Sequence, residues 1–167
     1  VAGGLLGIRD EDSTVLTSSF WDIGTTGQTL GVGTGATTGT FSVQSINPAG
    51  ANYAYSEATY SAQGWDFADD WFLIEDQTRP FGRWEHSTSI VNAHQLQLIA
   101  LDLGAHYVLG RDIDLGAELA RNGGMWGPAG FVPLGALGDG FTGVLDGRGH
   151  LVSGLRIEQP LADHTAL

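Results

Sequence analysis

Asp112 and Asp114 stand two residues apart in the segment YVLGRDIDL, residues 107–115. On an extended chain alternate side chains share a face, so both carboxylates sit on one side. Two carboxylates so placed can shift each other's pKa and divide acid and base roles, as in glycoside hydrolysis. A turn-stabilising or solvated acidic face satisfies the same spacing, and it is the reading adopted: no enzyme activity is expected. Asp66, Asp69 and Asp70 form a second acidic knot, and Asp10, Glu11 and Asp12 a third. Calcium takes six to eight oxygens, many from backbone carbonyls of the kind glycine-rich loops expose. Neither D-x-D-x-D-G nor G-G-x-G-x-D occurs, so no cofactor is expected and a structural calcium is kept only as an option. The five histidines show no paired ligand spacing, which argues against zinc; His150, in DGRGH, should bond its own turn. There is no cysteine and no G-x-S-x-G elbow, and the GVGTG of residues 31–35 lacks the lysine of a phosphate loop.

The other chemistry on offer is aromatic. Residues 41–84 hold Phe41, Tyr53, Tyr55, Tyr60, Trp65, Phe67, Trp71, Phe72, Phe81 and Trp84, with Asp66, Asp69, Asp70, Glu75 and Asp76 among them. Aromatic faces stack on sugar rings and carboxylates accept hydroxyl hydrogens, so Trp65, Trp71 and Trp84 are the candidate glycan contacts. A hydrophobic plug between strand-rich stretches is the competing structural reading. Trp21 reads as a core or cap aromatic.

Charge narrows the partners. The net charge is −12, and all seven basic residues are arginine. Such a surface repels nucleic acid and acidic membranes. No run approaches the ~20 apolar residues of a membrane span, so no membrane insertion is expected. Val1-Ala2-Gly3-Gly4 lacks the basic start of a signal peptide, and the chain reads as a piece of something longer. Localisation is expected to be secreted or at a bacterial cell surface.

The elements that must position these groups are short. Residues 131–159 organise the rest: Phe141, Gly143 and Leu145 alternate, Asp146-Gly147 and Gly149 turn, and Leu151, Val152, Leu155 and Ile157 follow. Leu145 and Leu155 should face inward. Each run has an apolar face that it cannot bury alone, so another layer must stack on it. Asn92 should cap a helix with Gln95 completing a capping box, Ala93, Leu96, Ala100 and Leu103 on one face and Gly104 as the stop. Tyr107, Leu109, Ile113 and Leu115 should point inward from one strand. Residues 1–22 read as strand, charged turn at 9–12, and strand 14–21. The domain organisation is a single module: 1–22 ends one repeat, 23–59 is a loop region (Gly/Thr-rich over 23–40), and 60–84 is aromatic. The helix lies in 85–104, coils in 105–159, and a junction to the next unit in 160–167.

The pattern FxGxLDGxGHxVxGLxI of residues 141–157 resembles the GLUG-type repeat of large bacterial surface adhesins of the filamentous haemagglutinin kind. GGLLG at 3–7, SFWD at 19–22, AQGWDF at 62–67 and DIDL at 112–115, followed by Trp126 and Pro133-Leu134-Gly135, are similar to that family as well. The resemblance implies an all-β right-handed parallel β-helix, or β-solenoid, with one short docked helix. It implies a structural and adhesive module of a large exported protein, one period of a tandem or head-to-tail fibre. The partners would be neighbouring copies, meeting through Val1, Leu5, Leu6, Leu155, Ile157, Leu161 and Leu167, and a host or bacterial surface glycan. The alternative is a carbohydrate-binding or carbohydrate-active β-helix.

Overall fold

The computed structural model describes residues 2–10, 15–45, 52–136, 138 and 140–158. Strands β1 (Leu6–Ile8) and β2 (Ser19–Asp22) lead into helix α1 (Ile23–Thr26), then β3 (Val32–Thr34) and β4 (Thr40–Val43). Helix α2 (Glu57–Ser61) is followed by β5 (Trp71–Phe72) and β6 (Phe81–Gly82). Next come β7 (Ser89–Ile90), α3 (Ala93–Leu98), β8 (His106–Leu109), β9 (Ile113–Asp114), α4 (Gly116–Leu119), β10 (Val144–Asp146) and β11 (Val152–Ser153). Two 3-10 turns, Arg83–Glu85 and Ile99–Leu101, complete the described elements.

Pairing is mostly parallel but never extensive. Leu6 faces Val32 in β1–β3, and Ser19 faces Thr40 in β2–β4. At the other end β10, β8 and β7 form a parallel sheet in that order, and β11 pairs with β9. Only β5 and β6 pair antiparallel among the strands, with Trp71 opposite Gly82.

This corrects the expected all-β parallel β-helix with one docked helix. The described residues form a mixed structure with four helices and five separate small sheets, and no closed or solenoid sheet. Two physical features prevent a continuous ladder. No strand exceeds four residues before a turn or cap intervenes. Between the two parallel stacks, residues 52–84 insert a helix and an antiparallel pair, so the register of one stack cannot propagate into the other.

The short helices exist because carboxylates and amides cap them. Asp22 Oδ1 accepts from Gly24 N at 2.7 Å and Thr25 N at 3.3 Å, and α1 ends at Gly27 with φ of 65°. At α2 the capping carboxylate comes from a distance: Glu75 accepts from Ser56 Oγ at 2.6 Å and from Glu57 N at 2.9 Å. At α3 Asn92 Oδ1 accepts from Gln95 N at 2.9 Å, as its spacing implies. Gln95 reaches Val91 N instead of the cap's own amide, and the helix tightens into a 3-10 turn at Ile99 instead of running to Gly104.

One large core gathers Leu96, Leu98 and Ile99 of the α3 region with Phe81, Tyr107, Leu115 and Phe131. The inward set Tyr107, Leu109, Ile113 and Leu115 is buried, although a bend at residues 110–112 divides the expected strand into β8 and β9. Leu145, Val152 and Ile157 pack against this core from partly buried positions. Leu155 does not: it is exposed, which corrects the inward expectation. The reason is Gly154, whose φ of 66° breaks the alternation one residue earlier. A smaller core holds Val43, Ala54 and Tyr60, with Phe20, Trp65, Phe67 and Leu73 against it.

Candidate functional site

Trp65 leaves the smaller core with one edge anchored. Its ring meets Phe20 edge-on at 5.3 Å and lies 5.2 Å from Tyr60, and its Nε1 donates to Ser18 O at 3.1 Å. The chain then turns tightly. Asp66 Oδ1 accepts from Ala68 N and Asp69 N, and Asp66 O accepts from Trp71 N at 2.8 Å. That turn returns Trp71 to Trp65, and the two indoles stack with centroids 3.9 Å apart and planes 21° apart. Sequence spacing alone does not place them in contact; the Asp66 side chain does, by satisfying the amides of a turn it opens.

Trp84 completes the row. β5 and β6 put Gly82 opposite Trp71, and the 3-10 turn Arg83–Glu85 folds Trp84 back over Gly82. A Cβ at position 82 would overlap the Trp84 indole, so only glycine permits this approach. Trp84 meets Trp71 edge-on at 4.9 Å and is 67% exposed. Arg83 fixes the base of the row by donating from Nε to Trp71 O at 2.9 Å and from a terminal nitrogen to Phe67 O at 3.1 Å. Its guanidinium also lies over Phe72, 5.8 Å from the ring centre.

The result is a ladder graded from inside to outside, with Trp65 tied to core, Trp71 half-buried and Trp84 presented to solvent. The inner end is core packing, and the outer end is an open indole. Asp69 and Asp70 lie exposed on the turn between Trp65 and Trp71. Chemically the arrangement can stack an apolar ligand face and accept hydrogen bonds beside it.

Comparison with protein-family models, with curated proteins and with solved structures gives no match.

The other sequence-singled residues are committed to the fold. Asp112 Oδ1 accepts from Leu151 N at 3.0 Å and pairs with His150 Nδ1 at 3.1 Å. The Leu151 amide first, and His150 second, hold the Asp112 carboxyl below its ordinary pKa despite full exposure. His150 thus bonds Asp112, and it is its backbone N–H that closes the turn on Gly147 O. Asp114 Oδ1 accepts from Gly116 N at 2.8 Å, at the start of α4. Trp21 donates from Nε1 to Gln28 O at 3.1 Å and lies against Gly4 and Gly31, a packing role. Among the described residues no three histidine or acidic side chains converge as metal ligands; Glu11 and Asp12 lie outside those residues. No helix among them is long and apolar enough to cross a membrane.

Of the residues expected at a head-to-tail seam, Leu5 and Leu155 are exposed. Leu6 pairs opposite Val32, and Ile157 bridges to Gly130 while packing on the large core. Val1, Leu161 and Leu167 lie outside the described residues. Sequence reasoning did not single out Gly82 or Arg83. The signal available was a glycine two residues before Trp84, within a segment of close-set aromatics.

Proposed function

We propose that the chain is a non-catalytic structural and adhesive module of an exported bacterial surface protein, which holds a glycan on the Trp65–Trp71–Trp84 ladder. The observation that carries this reading is the open indole of Trp84 at the end of a stack whose inner members are fixed by the core. A solvent-exposed tryptophan costs free energy of hydration unless a ligand covers it, and a pre-fixed platform loses little conformational freedom on binding. The acidic charge and the GLUG-type pattern of residues 141–157 support an extracellular setting. That Asp112 and Asp114 are occupied with backbone amides supports a binding role over a hydrolytic one.

On a glycan array the protein should retain a defined set of sugars, and Trp84→Ala should lower that signal at least tenfold. Because Trp84 is exposed, the variant should melt within a few degrees of the parent. Equal retention by parent and variant would overturn the reading.

A second reading, stacking of copies head to tail, is favoured by exposed apolar side chains on strand pairs at both ends. Ile8 on β1 is 77% exposed and Leu151 beside β11 is 62% exposed, and β1 and β11 each have one parallel partner. Strands with a free edge add further strands readily. Sedimentation velocity over a rising concentration series should show species beyond the dimer, and Leu151→Glu should return them to monomer. A monomer at every concentration would sink this reading.

A further inference from the structure

We propose that the cleft between Tyr53 and Arg121 is a second binding site, specific for a carboxylate-bearing sugar. The cleft measures about 380 Å³ and is lined by Ser45, Tyr53, Arg121, Asn122, Trp126 and Arg156, among others. That volume falls in the ~300–1,000 Å³ range of small-ligand sites. Its chemistry is the reverse of the surface around it. The chain carries 19 acidic residues against seven arginines, yet two of those arginines line this one cleft and, among the described residues, no Asp or Glu does.

The lining is rich in donors that the fold leaves uncommitted. Arg121 is exposed and makes no side-chain hydrogen bond or ion pair among the described residues, so its guanidinium is free to meet a ligand. Arg156 spends one terminal nitrogen on Pro128 O at 2.6 Å and Glu158 at 3.2 Å, and the other on Leu119 O at 2.7 Å. A guanidinium has five N–H groups, so its Nε–H and one further hydrogen stay available, and the bonded ones hold the group still. Asn122 is exposed with a free amide. Ser45 Oγ is buried at the edge of the cleft; it lies near enough to Asp22 to lower that carboxyl's pKa, but makes no hydrogen bond of normal geometry.

The same cleft has an aromatic wall. Tyr53 is half-buried and held edge-on against Tyr55 at 5.3 Å, while Tyr55 is locked by donating from its hydroxyl to Gly124 O at 2.9 Å. Trp126 is fixed by donation from Nε1 to Gln97 Oε1 at 2.9 Å. Two arginines alone would suit any anion. Arginines lining the same cleft as a half-buried tyrosine ring suit an anion that also has an apolar ring face, and a hexuronate has both. Glu75 and Asp76 act on Tyr53 strongly enough to help raise its pKa, though after burial itself, and they stand outside the lining.

The test is calorimetric titration of the whole chain with cellobiouronate, cellobiose and inorganic phosphate. Cellobiouronate should bind, cellobiose should bind at least tenfold more weakly, and phosphate should not compete at equal concentration. Arg121→Gln should weaken cellobiouronate at least tenfold while leaving the melting temperature unchanged, since Arg121 has no structural partner. In a Trp84→Ala background, which removes the ladder's contribution, cellobiouronate should still bind and Arg121→Gln should still weaken it, so failure of the tryptophan ladder as a glycan site and failure of this cleft are separately visible. Equal binding of the neutral sugar, displacement by phosphate, or indifference to Arg121→Gln would each overturn the proposal.

Discussion

Replacing Asp22 by alanine should destabilise the protein by ~3–5 kcal/mol, the cost of breaking a buried ion pair from one side. Asp22 is buried, and its carboxylate does two things at once. Oδ1 caps α1 through Gly24 N and Thr25 N, while Oδ2 pairs with Arg79. Arg79 also donates from Nε to Gly124 O at 3.0 Å and from a terminal nitrogen to Gly123 O at 2.8 Å. The group therefore ties β2, the turn before β6 and the loop at 123–124 into one joint. Without the carboxylate, a largely desolvated guanidinium keeps only carbonyl partners, and α1 loses its cap. Burial pushes the Asp22 pKa upward, but Ser45, Arg79 and the Gly24 amide together outweigh it and hold the value below 3.8. A lowered folded value means that this stability is present above about pH 4 and is lost as pH falls through the folded pKa. Urea denaturation at pH 7 and pH 3 measures both effects. Asp22→Asn should cost several kcal/mol at pH 7 and show a shallower acid loss than the parent. A change below ~1 kcal/mol for Asp22→Ala would contradict the joint.

Gln97→Leu should be nearly as damaging, because the side chain it replaces is fully buried and triply engaged. Gln97 Oε1 accepts from Trp126 Nε1 at 2.9 Å and from Val132 N at 3.0 Å, and its Nε2 donates to Val132 O at 3.0 Å. Trp126 and Val132 are themselves buried, so no water replaces the amide. Leucine has similar volume and a better transfer free energy, which makes the substitution look harmless by hydrophobicity. Each orphaned buried donor or acceptor costs ~1–3 kcal/mol, and leucine orphans three, so the loss should be ~3 kcal/mol or more. Gln97→Glu keeps the acceptor oxygen, and while protonated its hydroxyl can still donate to Val132 O; ionised, it loses that donor and buries a charge. It should therefore fall more in stability at pH 8 than at pH 5, as the group ionises. Thermal melts at those two pH values check the pair. A Gln97→Leu protein as stable as the parent would show that the amide network adds nothing.

Neither joint is readable from the sequence. Asp22 and Arg79 are 57 positions apart, and a glutamine inside an amphipathic helix carries no mark of being buried. What could be read was local. The Asn92 cap follows from residue type and a spacing of three, because both partners lie in one turn. The burial of Tyr107, Leu109, Ile113 and Leu115 follows from alternation, which survives the break between β8 and β9 because both strands, though in different sheets, border the same core. Alternation failed at Leu155 because Gly154 takes a left-handed conformation that the pattern does not encode. The expected β-helix failed at a larger scale. Parallel pairs occur in β1–β3, β2–β4, β8–β10 and β9–β11, but β3 and β4 lie in the 23–59 segment expected as loop, and no pair grows into a solenoid sheet among the described residues. Residues 52–84 interrupt them, since that segment folds on its own aromatics and on the Glu75 cap of α2. Trp65, Trp71 and Trp84 were chosen for their type and nearby carboxylates. Their stacking depends on the Asp66 turn and on Gly82, two small details of backbone geometry.

The five tryptophans allow the central claim to be tested at the level of single rings. In a nitrogen-15 NMR spectrum each indole Nε1–H gives its own signal, and titration with the best glycan from the array should move them selectively. The largest shift should fall at Trp84, a smaller one at Trp71, and none at Trp21, whose Nε1–H group is held by Gln28. A glycan that binds while leaving the Trp84 signal in place would contradict that claim.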